Sequence, residues 1–152
     1  MKALDFCMNE TYAVISEESP DPEDIRQVRR GLGRFNREAG NIINYKDLVL
    51  FVRDAGGRIV GGLIGCTLGT LLLVETLWLE EELRGKGYGS RLLQVAEEEA
   101  LARGCRVAEL MTFSWQAPEF YKKKGYAVFG ELEEVGAGHT AYFFRKYLRK
   151  PS

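Results

Sequence analysis

The order of apolar patterns along this 152-residue chain predicts a single α/β domain, residues 1–152, with a central mixed, mostly antiparallel sheet and helices on both faces. Three observations carry that prediction. Leu71 to Leu79 is an apolar run of strand length, and Ser90 to Arg103 is amphipathic at helical spacing. A short apolar strand, Val107 to Thr112, follows that helix, and such a strand–helix–strand crossover implies a parallel pair. On both sides, strands separated by short glycine-bearing turns imply antiparallel hairpins.

Each element has its own local reason. Thr11 to Glu17 alternates and reads as a first strand, with residues 1–9 as an extension before it. Pro20-Asp21-Pro22 breaks the chain; Asp21 suits an N-cap and Pro22 the first helical position. Ile25, Val28, Leu32 and Phe35 then recur at helical spacing, and Gly40-Asn41 ends that helix. Asp47 to Arg53 reads as a strand, Asp54-Ala55-Gly56-Gly57 as a turn, and Arg58 to Thr67 as the hairpin partner. In the helix after Gly89, Leu92, Leu93, Ala96 and Ala100 share one face, and Gly104 terminates it. Pro118 opens a brief helix that Gly125 closes. Tyr126 to Leu132 and Thr140 to Tyr147 finish as two strands around a Gly136-Ala137-Gly138-His139 turn. The expected order is β-α-β-β-β-α-β-α-β-β.

Composition narrows the class of function. Charge nearly balances at a formal −1, which disfavours avid nonspecific binding to nucleic acid. Cys7, Cys66 and Cys105 are widely spaced, without a Cys-x-x-Cys, and the chain has one histidine. Neither a disulfide scaffold nor a metal site is expected, and a reducing, cytoplasmic setting fits. The N-terminal residues lack an apolar signal region and no window approaches a membrane span, so no membrane partner is expected.

The most informative segment is Leu83-Arg84-Gly85-Lys86-Gly87-Tyr88-Gly89-Ser90, between the apolar strand and the amphipathic helix. Glycines let a backbone approach a ligand closely, and a helix N-terminus favours negative charge, so this is a phosphate site. A Walker loop fails, because Glu80 stands where its first glycine belongs and Gly87 where its Ser/Thr belongs. A dinucleotide fingerprint fails on the spacing of its third glycine and on its position past mid-chain. Arg84-Gly85-Lys86-Gly87-Tyr88-Gly89 does match Arg/Gln-x-x-Gly-x-Gly/Ala at every fixed position. This resembles the pyrophosphate loop of the GNAT superfamily, the acyl-CoA-dependent N-acyltransferases. A second segment resembles the same family: Ala117, Tyr121, Gly125 and Tyr126 match its Asn-x-x-Ala-x-x-x-Tyr-x-x-x-Gly-Phe, with Ser114 where the Asn is usual. The resemblance spans about residues 48 to 148.

The resemblance implies a sheet whose parallel strands splay after the glycine loop, with acetyl-CoA as co-substrate lying in the gap. It implies that backbone groups of Leu77 and Leu79 pair with the pantetheine arm and that the Leu79 N–H faces the thioester oxygen. Backbone groups from Arg84 to Ser90 (Arg84, Gly85, Lys86, Gly87, Tyr88, Gly89, Ser90) would hold the pyrophosphate, and Arg84 and Lys86 would add charge. Ser114 would stand at a coenzyme A contact. Tyr121 matches the general acid that protonates the departing sulfur; an aromatic packing residue is the alternative.

Glu75 interrupts an apolar strand, and alternation puts it on the side of Leu77 and Leu79, as a base for the amine or as a carboxylate paired at a strand edge. His139 and Asn36 are candidate acceptor contacts; an exposed turn histidine is the alternative for the former. Cys105 reads as structural. Arg29, Arg30, Arg34, Asn41 and Asn44 flank one side of the acceptor region and Glu131, Glu133 and Glu134 the other. The acidic hairpin and Glu75 favour a cationic small-molecule amine, while the arginines suit a carboxylate-bearing one. A protein lysine or N-terminal amine, or a non-catalytic acyl-CoA-binding regulatory module, are the other readings, and the family allows a homodimer.

Overall fold

The computed structural model describes residues 6–9, 12–39 and 44–148, which fall in two compact units, one within residues 1–42 and one within 43–152. In the first, β1 (Phe6–Asn9) and β2 (Tyr12–Val14) pair antiparallel as a two-stranded sheet, and α1 (Pro22–Glu38) follows. The strand expected over Thr11 to Glu17 therefore stops at Val14 and pairs with an earlier strand; Thr11 lies outside the described residues. Ser16, Glu17 and Glu18 supply no apolar face with which to extend the ladder. Helix α1 starts as its residues predict: the Asp21 carboxylate accepts the Glu23 N–H at 2.7 Å with Pro22 just inside. The expected stop at Gly40-Asn41 lies outside the described residues.

The second unit carries β3 (Tyr45–Arg53), β4 (Ile59–Leu68), β5 (Leu71–Leu79), α2 (Tyr88–Ala102), β6 (Val107–Phe113), α3 (Pro118–Lys123), β7 (Ala127–Leu132) and β8 (Ala141–Tyr147). They form a six-stranded sheet in the order β3-β4-β5-β6-β8-β7. The β5–β6 pair is parallel and every other pair is antiparallel, so the mixed α/β architecture stands as expected. Helix α2 closes the crossover between the parallel strands. It lays Leu92, Leu93, Ala96 and Ala100 on a core that includes Leu48, Leu63, Leu72, Leu110 and Phe144. Burying each large side chain here contributes roughly 1.5–3 kcal/mol.

Local chemistry ends these elements where the turns demand it. The Asp54 carboxylate accepts the Gly56 and Arg58 N–H groups at 2.9 and 3.0 Å, closing the β3–β4 hairpin. Helix α2 stops at Gly104, whose φ of 90° is left-handed, and the Cys105 N–H returns to the Ala100 carbonyl at 2.9 Å. It begins at Tyr88, two residues before the sequence pattern suggested, because Gly87 at φ 90° takes the N-cap position. Nearby, Arg103 donates from Nη1 to the Asp47 carbonyl at 2.9 Å, tying the end of α2 to β3.

Candidate active site

Strands β5 and β6 are in register only from Leu71↔Val107 to Val74↔Leu110. Beyond that point they part, and the cause lies on the other edge of β5. Across β4–β5, Ile64 faces Thr76 but Gly65 faces Val74, so Glu75 is an extra residue, a β-bulge. A bulge bends its strand and raises the local twist. Gly65 makes the approach feasible, since a Cβ there would sit 2.2 Å from the Leu73 carbonyl oxygen.

The bulge exposes polar backbone to the gap. The Glu80 N–H donates to the Val60 carbonyl at 2.9 Å, which turns the Leu79 carbonyl and N–H the opposite way. Arg84 Nε accordingly reaches that Leu79 carbonyl, at 3.2 Å. The same alternation aims the Leu77 backbone groups into the gap.

The turn after β5, a 3₁₀ segment at Glu81–Leu83 and then the glycine loop, meets α2 at its N-terminus. Gly85 and Gly87 have φ of 72° and 90°, and a Cβ on either would meet nothing within 4 Å, so open space lies beside the loop. No side chain caps α2 and no acidic residue occupies its first turn, which leaves N–H groups for an anion. At Gly89 a Cβ would meet Leu79 Cδ1 and Phe120 Cζ at 3.6 Å, so the helix start packs closely on β5 and α3. A glycine loop at an uncapped helix start, beside a strand gap lined by backbone amides, has the shape and polarity to fit an extended, amide-bearing pyrophosphate ester such as acyl-CoA.

These features share one cleft of about 860 Å³. Val74 to Leu79, Arg84, Gly85, Gly87, Gly89 and Ser90 line one side; Leu110 to Thr112, Trp115 to Ala117, Phe120 and Tyr121 line the other. Of the residues singled out from sequence, Glu75, Leu77, Leu79, Arg84, Gly85, Gly87, Gly89, Ser90 and Tyr121 thus come together. Lys86 is not among the cleft-lining residues, and Tyr88 borders a separate hollow with Leu50, Phe51 and Arg91. Ser114 is exposed and not among the cleft-lining residues, its Oγ 3.1 Å from His139 Nδ1 and accepting the Thr140 N–H at 3.3 Å. His139 packs T-shaped against Trp115 at 4.5 Å between ring centroids. Asn36 lies on α1, in the other unit. Sequence reasoning passed over Met111, Thr112 and Gln116. Gln116 Oε1 accepts from Thr112 Oγ1 at 2.9 Å and from the Phe113 N–H at 3.0 Å, shaping the turn into α3. Two polar residues flanking the end of an apolar strand were the available signal.

Tyr121 is 8% exposed, its ring edge-on to Phe120 at 5.0 Å and to Tyr126 at 6.1 Å. Burial pushes its phenol above the ordinary range, so it keeps its proton. Tyr126 occupies the Gly-Phe aromatic position, and its added hydroxyl donates to Glu97 Oε1 at 3.0 Å. Lys146 Nζ donates to the other oxygen of the same carboxylate at 2.6 Å. Burial, followed by the Glu97 charge, drives the Tyr126 phenol far up.

Glu75 corrects the alternation argument. Leu77 and Leu79 turn toward Gly89 and the α2 core, whereas the Glu75 charge bears on Cys66 and Tyr45. Cys66 stands across from Asp47 and Leu73, a register that alternates with the core residues Leu63 and Leu48. The bulge therefore sends Glu75 to the face away from α2, although it still borders the cleft. Cys105 is 2% exposed, and burial raises its thiol, which keeps it protonated and unreactive.

A parallel strand pair parted beside a glycine loop, with a buried phenol on the far wall, defines a cleft of the acyl-transfer kind. Comparison with known proteins gives the family. The model of the acetyltransferase (GNAT) domain matches residues 46–128. An acetyltransferase from Agrobacterium fabrum is 31% identical over 126 residues, 83% of this chain and 92% of that one. The blasticidin-S acetyltransferase of Streptomyces morookaense is 36% identical over 93 residues, 60% of this chain and 68% of its own. The crystal structure of an acetyltransferase from Bacillus cereus matches with a TM-score of 0.72 at 34% identity, covering 88% of this chain and 97% of that one. The chain belongs to the GNAT acetyltransferases.

Proposed function

We propose that this acetyltransferase moves the acetyl group of acetyl-CoA to a primary amine of a small molecule by direct attack in a ternary complex. The observation that carries the reading is the single cleft, which runs from the glycine loop through the strand gap to Tyr121. Acetyl-CoA would supply an activated thioester carbonyl. The N–H groups at the start of α2 would hold the pyrophosphate, and Leu77 and Leu79 would pair with the amide arm. The Leu79 N–H is the donor toward the thioester oxygen; loss of one such donor typically costs about 3 kcal/mol of barrier. Arg84 contributes charge beside the loop while its Nε stays on the Leu79 carbonyl.

Two groups move protons. The Tyr121 hydroxyl gives its proton to the departing sulfur, a thiolate of basicity near that of a phenol. Glu75 takes a proton from the amine, directly or through water. As the new C–N bond forms and the C–S bond breaks, one proton leaves the nitrogen and one reaches the sulfur, so the step balances. The small-molecule acceptor is supported by the blasticidin-S relative. We further read residues 1–152 as one acyltransferase domain, supported by the extent of the Agrobacterium match, and as cytoplasmic, supported by the free thiols of Cys66 and Cys105. A homodimer is the assembly to test by light scattering.

Calorimetric titration with acetyl-CoA, with CoA as control, is the direct test. Micromolar binding that is lost in Gly87→Val supports the site; a folded protein that does not bind sinks the reading. Turnover against an amine panel then separates catalysis from a binding-only module, and lysine peptides in that panel separate protein from small-molecule acceptors.

A further inference from the structure

We infer that the acceptor is a monoamine carried on a planar aromatic body, seated between Trp78 and Trp115 with its ammonium toward Glu75. The inference rests on the acetyltransfer reading above and deepens it. The chain has two tryptophans, and both line this one cleft, Trp78 from β5 and Trp115 from the opposite wall beyond β6. They are 48% and 52% exposed, so two large indole surfaces face a cavity instead of a core. An indole so placed gains by covering itself with another apolar or planar group, and its face attracts cations.

Trp115 is held ready for that role. Its ring stacks on Phe113 at 4.3 Å between centroids and 4° between planes, and His139 packs T-shaped against it at 4.5 Å. His139 is in turn fixed through Nδ1 by Ser114. Trp78 lies past the bulge, in the stretch of β5 that has left β6, so the indoles stand on opposite sides of the gap. Met111, 44% exposed, adds apolar surface to the same wall.

Charge decides against a polycationic acceptor. Among the described cleft-lining residues Glu75 is the sole carboxylate, and Arg84 the sole cation, committed to the glycine-loop end. Glu131, Glu133 and Glu134, which from sequence favoured a cationic substrate, are not among the residues lining the cleft. A polyamine or an aminoglycoside would bring several ammonium groups to one carboxylate. An arylalkylamine brings one ammonium and one ring, which matches one carboxylate and two indoles.

Because both tryptophans border the site, their fluorescence reads occupancy without catalysis. Phenethylamine, butylamine, spermidine and kanamycin should be titrated into the protein in the presence of CoA, and assayed separately with acetyl-CoA. The expected result is saturable quenching by phenethylamine and a kcat/KM about tenfold above butylamine, the ratio that roughly 1.4 kcal/mol of ring stacking provides. Trp115→Ala and, independently, Trp78→Ala should each shrink that preference toward unity, chiefly through KM. Preference for spermidine or kanamycin, or equal losses for all amines in both variants, overturns the inference. Turnover of no amine at all would remove the acetyltransfer reading, and fluorescence unchanged by phenethylamine would remove the aromatic seat by itself.

Discussion

From Leu71 to Val74, β5 is in register with neighbours on both edges, whereas from Thr76 to Leu79, past the Glu75 bulge, only its β4 edge is paired. The first half is core: Leu72 is fully buried and Val74 nearly so. In the second half Glu75, Thr76 and Trp78 are exposed and Leu77 is half-buried along the cleft, with Leu79 buried at its end. One bulge separates them. A sheet satisfies its backbone groups by pairing, so a stretch left unpaired beside a glycine loop is a place where a ligand can complete the ladder. The doubly paired stretch of β5 thus lies on one side of Glu75 and the proposed binding stretch on the other.

That contrast can be broken from either side. Leu72→Ala should remove about 2–5 kcal/mol of folding stability, measured by urea denaturation, with acetyl-CoA affinity of the folded protein unchanged. Leu77→Ala, half-buried at the cleft, should cost less stability and weaken the cofactor more; equal losses in both would deny the division. Tyr121→Phe should slow kcat by about one to three decades while the acetyl-CoA Kd holds. An unchanged rate would take Tyr121 out of the chemistry and leave it as packing. Gly87→Val forces a β-branched residue to φ 90°, so cofactor affinity should fall at least about tenfold, with strain of roughly 1–2 kcal/mol appearing in the melt.

The smallest expected effect is Tyr126→Phe, about 1–2 kcal/mol of stability from the lost bond to Glu97. Its pH dependence has a definite sign. The folded Tyr126 phenol titrates above its unfolded value of about 10, so its contribution is complete below about pH 10 and is lost as pH rises further. Wild type should therefore lose stability above about pH 10 more steeply than the variant. Tyr121 is shifted the same way by burial, so its phenol stays protonated throughout the neutral and mildly alkaline range. The rate should accordingly not fall on its account between about pH 7 and pH 9.5.

Much of the frame was legible because its signals are local. The run Leu71 to Leu79 matches β5 end to end, and the four residues expected to face the core from α2 are the four found buried there. Asp21 and Pro22 announced the start of α1. The N-terminal hairpin was harder, since three-residue β2 has too little pattern to separate a strand from its flanks. At the site, Ser114 could be named as departing from the family pattern, but not as the group that holds His139. Those two residues are 25 positions apart and meet through the β6–β8 pairing.

The amino-acid order alone determined the strand, glycine loop and helix that form the candidate anion site, because turn glycines, apolar period and helix ends act over a few residues. It also determined that Tyr121 follows Ala117 on a short helix opened by Pro118. Only the tertiary structure decided where β5 leaves β6 and which way Glu75 points. Both depend on Gly65 approaching Leu73 across β4–β5, a contact between residues near in space and remote in the pattern that periodicity reads. Gly65 inside an apolar strand was the trace of that approach; its partner, and the one-residue slip it permits, are set by packing.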